Sequence, residues 1–169
     1  MCNAGKYART GWSECLSCDA GYYSGEGESK CEICGAGKYS NTTASSKCMV
    51  CAAGKYANTG WSECLSCDAG YFSLNGASEC KICSSGTFSN TTASSKCQTC
   101  AAGKYSTSGA TECKVCPAGH YCPEGSSSYI QCPAGTIASS GSSMCTACSN
   151  GQYSTPGSSS CQTCASSSV

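Results

Sequence analysis

Apolar and polar positions alternate too quickly along this chain for a helix. Aromatic and aliphatic residues come singly or in pairs, and Gly, Ser, Thr and Asn separate them every few positions. No stretch carries a 3.6-residue apolar period, and period-two alternation is short. The pattern therefore predicts short strand pairs and turns, without helices.

The aromatic positions themselves recur. Tyr7, Tyr23, Tyr39, Tyr56, Phe72, Phe88, Tyr105, Tyr121, Ile137 and Tyr153 follow one another at 16 or 17 residues, and each lies two residues after a glycine, from Gly5 to Gly151. Each is also five residues after a cysteine, so the unit reads Cys-x-x-Gly-x-aromatic, a Ser/Thr/Asn/Gly stretch, then a second Cys three residues before the next unit. The ten repeats are 2–17, 18–33, 34–50, 51–66, 67–82, 83–99, 100–115, 116–131, 132–147 and 148–163, with 164–169 opening an eleventh. Such a period identifies a repeat architecture before any other reading. A glycine at a fixed offset suits a backbone position with positive φ, and a second glycine, nine residues after most repeat starts, suits another turn. The aromatic is expected to be the private core of its own repeat.

A longer period overlies the short one. Residues 2–50 and 51–99 align without gaps and share 35 of 49 positions, including Gly11-Trp12-Ser13-Glu14-Cys15 against Gly60-Trp61-Ser62-Glu63-Cys64. Duplication of a three-repeat block explains this. The later repeats drift, losing the Trp and gaining Ser-rich tracts such as 126–128 and 158–160.

Composition changes the picture by removing the usual source of stability. With 21 Cys among 169 residues, but only three Met, two Trp and two Phe, a large common core is excluded and a disulfide scaffold is indicated. The expected fold is a small disulfide-rich one: mostly irregular, with short β-hairpins, an elongated tandem-repeat rod of 16–17-residue units with no common hydrophobic core.

Repetition and parity suggest how the cysteines pair. Bonding the first Cys of each repeat to the second gives Cys2 with Cys15, Cys18 with Cys31, Cys34 with Cys48, Cys51 with Cys64, Cys67 with Cys80, Cys83 with Cys97, Cys100 with Cys113, Cys132 with Cys145 and Cys148 with Cys161. The eighth repeat has Tyr129 where its second Cys is due and an extra Cys122, so Cys116 with Cys122 restores the count and Cys164 is left over. The alternatives are bonds inside each Cys-x-x-Cys, or four-thiolate zinc sites of the kind Cys15-x2-Cys18 and Cys31-x2-Cys34 would make. Nine Cys-x-x-Cys pairs do not divide into twos, and Cys2, Cys122 and Cys132 would lie outside any zinc scheme. Each repeat-closing bond contributes roughly 3 kcal/mol in the chain-entropy account, and the repeats are expected to form a nearest-neighbour array.

Charge points to no partner. Ten basic residues balance ten acidic ones, so no net field draws the chain to nucleic acid or to an anionic surface. No apolar run reaches the roughly 18 to 20 residues that span a bilayer, and the first residues lack a signal-peptide layout, which reads as a fragment or processed segment of a longer secreted protein. The lone His120 has no carboxylate neighbour in sequence and reads as an exposed filler. No acid–base or nucleophilic set is present for catalysis, and no cofactor is expected. Two sequons, Asn41-Thr42-Thr43 and Asn90-Thr91-Thr92, lie 49 residues apart and are the candidate N-glycosylation sites, while the Ser and Thr tracts could carry O-linked sugar. Trp12 and Trp61 are expected to pack over a neighbouring disulfide.

Cys116-Pro-Ala-Gly-His-Tyr-Cys-Pro-Glu-Gly, residues 116–125, and Cys132-Pro133-Ala134-Gly135-Thr136 resemble the ephrin-receptor-like cysteine-rich repeats, over essentially the whole chain. The chain is more distantly similar to the first loop module of tumour necrosis factor receptor repeats and to Cys-x-x-Cys surface antigens of ciliates. Those resemblances imply an extracellular, disulfide-laddered protein at the cell surface or secreted, serving as a coat or filament that self-associates or meets other surface and matrix proteins. The alternative they imply is a ligand-binding ectodomain or stalk of a receptor, for which residues 116–132 are the one non-repeating patch.

Overall fold

The computed structural model describes residues 1–164. Among them every regular element is a two-residue strand, none is a helix, and each repeat contributes one antiparallel pair. In repeat 1, Lys6–Tyr7 pairs with Leu16–Ser17, with Lys6 opposite Ser17 and Tyr7 opposite Leu16. Repeats 3 and 6, longer by one residue, keep the ladder by placing Lys38 opposite Val50 and Thr87 opposite Thr99.

The sequence builds each hairpin from a turn. The Lys6 N–H donates to the Asn3 carbonyl at 3.1 Å, and Gly5 occupies the third turn position at φ +85°. That is the geometry of a type II turn, which disfavours any side chain there. After the second strand the chain folds back, and the Cys18 N–H donates to the Gly5 carbonyl at 2.9 Å.

An isolated two-stranded ribbon is marginal at best in water. Here each repeat is closed by a disulfide and then bonded to its neighbour. Contacts group the chain into two bodies, Met1–Lys81 with Thr91–Lys96, and Ile82–Asn90 with Cys97–Val169. In the first body the step from repeat 1 to repeat 2 carries three backbone bonds: Gly5 N–H to Ser24 O at 2.8 Å, Ala8 N–H to Glu28 O at 3.3 Å, and Gly27 N–H to Cys2 O at 2.9 Å. In the second, the step from repeat 7 to repeat 8 uses the same three positions: Gly103 to Cys122 at 2.7 Å, Ser106 to Ser126 at 3.1 Å, and Gly125 to Cys100 at 2.9 Å.

The array is not a nearest-neighbour one. A Cβ placed on Gly5 would coincide with the carbonyl of Ala44, two repeats on, and one placed on Gly37 with that of Gly76. In the second body Gly86 meets Gly125, Gly103 meets Gly141 and Gly119 meets Gly157 in the same way. In repeats 1 to 4 and 6 to 8 the first glycine is therefore required twice over, for its turn and for a backbone that passes where its side chain would be, whereas Gly135 and Gly151 have open space there.

The interior also differs from expectation. The aromatic position is not a private core: Tyr7, Tyr23, Tyr39, Tyr56, Phe72 and their equivalents are half-buried, and Tyr153 is exposed. What is buried is the opening half-cystine, at most 5% exposed from Cys2 to Cys132, and the residue just after the aromatic: Ser24, Ser40, Ala57, Ser73, Ser89, Ser106, Cys122, Ala138 and Ser154. Successive residues of a strand point to opposite faces. The aromatic therefore takes the flank and its successor the inside, where repeats stacked at backbone hydrogen-bond distance leave room only for Gly, Ala, Ser or Cys. Four of the buried serines donate to the preceding repeat, while Ser40 Oγ donates within its own repeat to Thr42 O at 3.2 Å. Ser24 Oγ donates to Lys6 O at 3.1 Å, Ser73 to Lys55 O at 2.9 Å, Ser106 to Thr87 O at 2.9 Å and Ser154 to Thr136 O at 2.8 Å. No buried side-chain nitrogen or oxygen lacks a partner among the described residues.

Candidate functional site

The chemistry-bearing residues are the cysteines, the sequons and the few exposed rings. Ten disulfides join Cys2–Cys15, Cys18–Cys31, Cys34–Cys48, Cys51–Cys64, Cys67–Cys80, Cys83–Cys97, Cys100–Cys113, Cys116–Cys122, Cys132–Cys145 and Cys148–Cys161. Nine span 13 or 14 residues with Cα–Cα separations of 5.7 or 5.8 Å, while Cys116–Cys122 spans six. The two sulfurs of each Cys-x-x-Cys thus belong to different bonds. The four sulfurs of Cys15, Cys18, Cys31 and Cys34 are consumed in three disulfides, and no group of three or more His, Cys, Asp or Glu among the described residues could hold a metal ion. Cys164 is an exposed free thiol.

Repeat 8 achieves its bond by a different route. Cys122 stands in the buried small-residue position, beside the opening Cys116, and both half-cystines are 0% exposed. In the other repeats the closing half-cystine is exposed or half-buried. Tyr129, freed from that closing role, packs edge-on to Tyr105 at 5.4 Å and to His120 at 4.8 Å. His120 is half-buried rather than a filler, and its Nδ1 lies 3.1 Å from the Ala118 carbonyl.

The ring partners of the tryptophans are tyrosines of their own repeats. Trp12 tilts against Tyr7 at 6.3 Å, with the Arg9 guanidinium 5.7 Å from its ring centre, and Trp61 tilts against Tyr56 at 5.6 Å. Each walls an equivalent open cleft with the following Ser, Glu and Leu, about 370 Å³ at Trp12 and about 310 Å³ at Trp61. Tyr7, Tyr56 and Tyr105 stand 49 residues apart, so the ring pairs follow the long period even where Tyr129 replaces Trp as the partner.

Both sequon asparagines are exposed. Each opens a turn held by its own hydroxyls, with Thr42 and Ser45, and Thr91 and Ser94, at 3.0 Å. That turn ends on Ala44 or Ala93, the two non-glycine residues with positive φ, at 57° and 55°. The carbonyls of these alanines are the ones that Gly5 and Gly54 meet across two repeats. The sequons thus lie on segments that the array itself holds in place.

The Tyr23 hydroxyl donates to Glu32 Oε2 at 2.7 Å, and that hydrogen bond, then the charges of Glu32 and Glu28, raise its pKa above the usual phenol value. The column of small residues after each aromatic escaped the sequence reading, although Ala, Ser or Cys at every such position is its signal.

Comparison with protein-family models gives no match, and comparison with curated proteins gives none either.

Proposed function

We propose that this chain is a non-catalytic structural protein of the cell exterior, a component of a surface coat or extracellular filament that associates with its own copies or with other surface and matrix proteins. The observation that carries this reading is the repeated interlock: the same three backbone bonds at eight of the nine steps between successive repeats and two of them at the step from repeat 5 to repeat 6, with a disulfide in every repeat. Disulfides at this density belong to an oxidising compartment, and the resemblance to ephrin-receptor-like repeats supports the same location. Among the described residues no helix is long and apolar enough to cross a membrane. The reading includes N-linked sugar on Asn41 and Asn90 and gives the protein no cofactor.

The test joins location with covalent state. Antibody labelling of intact cells should reach the protein without permeabilisation, and its mass before and after reduction should differ by ten disulfides, with glycan mass on the two sequons. Labelling only after permeabilisation, or a protein isolated with its thiols reduced, would reject the proposal.

A second reading, a ligand-binding ectodomain, is favoured by the Tyr105, His120 and Tyr129 cluster of repeats 7 and 8. It would gain support if Tyr129→Ser abolished binding of the isolated chain to cells while leaving assembly intact.

A further inference from the structure

Asn41 and Trp61 belong to adjacent repeats, 3 and 4, and to one body. The Ser40 N–H, one residue before the sequon asparagine, donates to the Trp61 carbonyl at 3.4 Å. The same bond recurs at each step, so the array's register sets the backbone just before an exposed sequon against the backbone of Trp61, whose indole walls an open cleft with Gly60, Ser62, Glu63 and Leu65. Where repeat 1 has Arg9 over Trp12, repeat 4 has the uncharged Asn58.

The second sequon has the same backbone setting and a different neighbour. Ser89 N–H donates at 3.1 Å to the carbonyl of Ala110, so an alanine stands where the first sequon meets Trp61, and the ring pair that Tyr105 of that repeat forms with Tyr129 is made without an indole. The two sequons share the residues Ser-Asn-Thr-Thr-Ala-Ser-Ser-Lys-Cys and differ in what the next repeat presents to them.

We propose that the innermost N-acetylglucosamine of a glycan on Asn41 lies in the Trp61 cleft, while the glycan on Asn90 has no such seat. The proposal rests on the reading of the chain as a glycoprotein. A pyranose has an apolar face of C–H bonds, and the face of an indole is the electron-rich surface such hydrogens meet favourably. The hydroxyls and acetamide at the sugar's edge match the hydroxyl of Ser62 and the carboxylate of Glu63. Covalent attachment one residue from the hydrogen bond to Trp61 raises the local sugar concentration into the millimolar range or above, so a contact too weak to hold a free monosaccharide suffices.

The experiment compares two sites within one molecule. The chain is secreted from a glycosylating eukaryotic host, occupancy of Asn41 and Asn90 is read by peptide mass, and the folded protein is then treated with a peptide N-glycanase. The glycan on Asn41 should be released about three- to tenfold more slowly than that on Asn90, the range an aromatic contact of ordinary strength gives. Trp61→Leu should bring Asn41 to the rate of Asn90, and Trp12→Leu should leave both unchanged. If the Leu variant is not secreted, the unsubstituted protein still gives the answer through an upfield ring-current shift of one N-acetyl methyl in its NMR spectrum. Equal release from two occupied sites, a lag that survives Trp61→Leu, or two unshifted methyls would overturn the docked sugar while leaving the glycoprotein reading intact. No glycan on Asn41 would overturn both.

Discussion

Gly103→Ala and Gly141→Ala make a matched pair of perturbations, because the two glycines face each other across two repeats. Their φ angles are +83° and +79°, so an alanine at either position meets nearly the same left-handed strain, about 1–2 kcal/mol. Alanine also restricts the unfolded chain relative to glycine, which offsets about 0.4–1 kcal/mol of that at both positions. The positions differ in surroundings. A Cβ on Gly141 finds Val115 Cγ1 at 3.6 Å, an ordinary contact, whereas a Cβ on Gly103 falls on the Gly141 carbonyl, well inside the 3.0 Å that real Cβ atoms essentially never cross. That oxygen is backbone, held by the bond from the Gly141 N–H to Cys116 O at 2.8 Å, and cannot swing aside as a side chain would. Relieving the overlap means shifting one repeat against the other, an overpacking cost of about 1–3 kcal/mol. Gly141→Ala is therefore expected to destabilise by about 1 kcal/mol or less and Gly103→Ala by about 2 kcal/mol more. Hydrogen exchange of the oxidised protein measures this locally, through the amides of Gly103, Gly125 and Gly141. A 2 kcal/mol difference corresponds to about thirtyfold faster exchange through local opening. Equal exchange in the two variants would show that the second-neighbour contact contributes nothing and that the array is nearest-neighbour after all.

The remaining predictions use other parts of the same frame. Limited reduction followed by alkylation should open Cys2–Cys15 early, since Cys15 is exposed, and Cys116–Cys122 last, since neither half-cystine is accessible; peptide mapping of partly reduced protein gives the order. Ser106→Ala should cost about 1 kcal/mol, the worth of its bond to the Thr87 carbonyl, whereas Ser106→Leu, too large for the buried position, should abolish secretion of folded protein. Tyr23 should ionise after an ordinary phenol, as followed by phenolate absorbance. Because its folded pKa is raised, the stability from its bond to Glu32 is fully present below the unfolded pKa near 10 and is lost as pH climbs through the higher folded value; Glu32→Gln should bring the titration back towards the usual range.

Much of this architecture is legible in the sequence because each repeat states it again. The Cys-x-x-Gly-x-aromatic unit, the absence of any helical period and the glycines at turn positions lead to two-stranded hairpins without reference to anything distant. The interior was not legible in the same way. An aromatic at a fixed position in a chain poor in aliphatics looks like a core, and only the stacking of repeats at backbone hydrogen-bond distance puts Tyr7 and Tyr56 on the flank and Ser24 and Ala57 inside. The contact between Gly5 and Ala44 was equally hidden, since a glycine required by its own turn gives no sign that it is also required by a carbonyl 39 residues away. The ring partners of the tryptophans were hidden for a related reason: Trp12 and Trp61 lean on half-buried tyrosines that a core reading places out of reach.

Repeat 8 offers a test of what sets the pairing of cysteines. Two substitutions, Cys122→Ser and Tyr129→Cys, would give it the pattern of its neighbours. Serine is native at the buried position in repeats 2, 3, 5, 6, 7 and 10, where its Oγ has carbonyl oxygens of the array within reach. A cysteine at position 129 would stand 13 residues after Cys116, the separation found in Cys100–Cys113 and Cys132–Cys145. If the register of the hairpin dictates pairing, Cys116 should bond to position 129, leaving ten disulfides and the free Cys164. The energies nearly balance. A loop of 13 residues is worth about 3 kcal/mol by closure entropy and one of six about 2 kcal/mol, while the lost contacts of Tyr129 with Tyr105 and His120 are worth about 1 kcal/mol. Stability should therefore change little, and the informative readout is connectivity, by peptide mapping of the oxidised double variant. A single new bond from position 116 to position 129 would mean that the repeat's backbone selects the pair and that Cys122 is a local substitute for a missing partner. A mixture of bonded forms, or a buried free thiol at Cys116, would mean that repeat 8 has a backbone of its own to which Cys122 is essential.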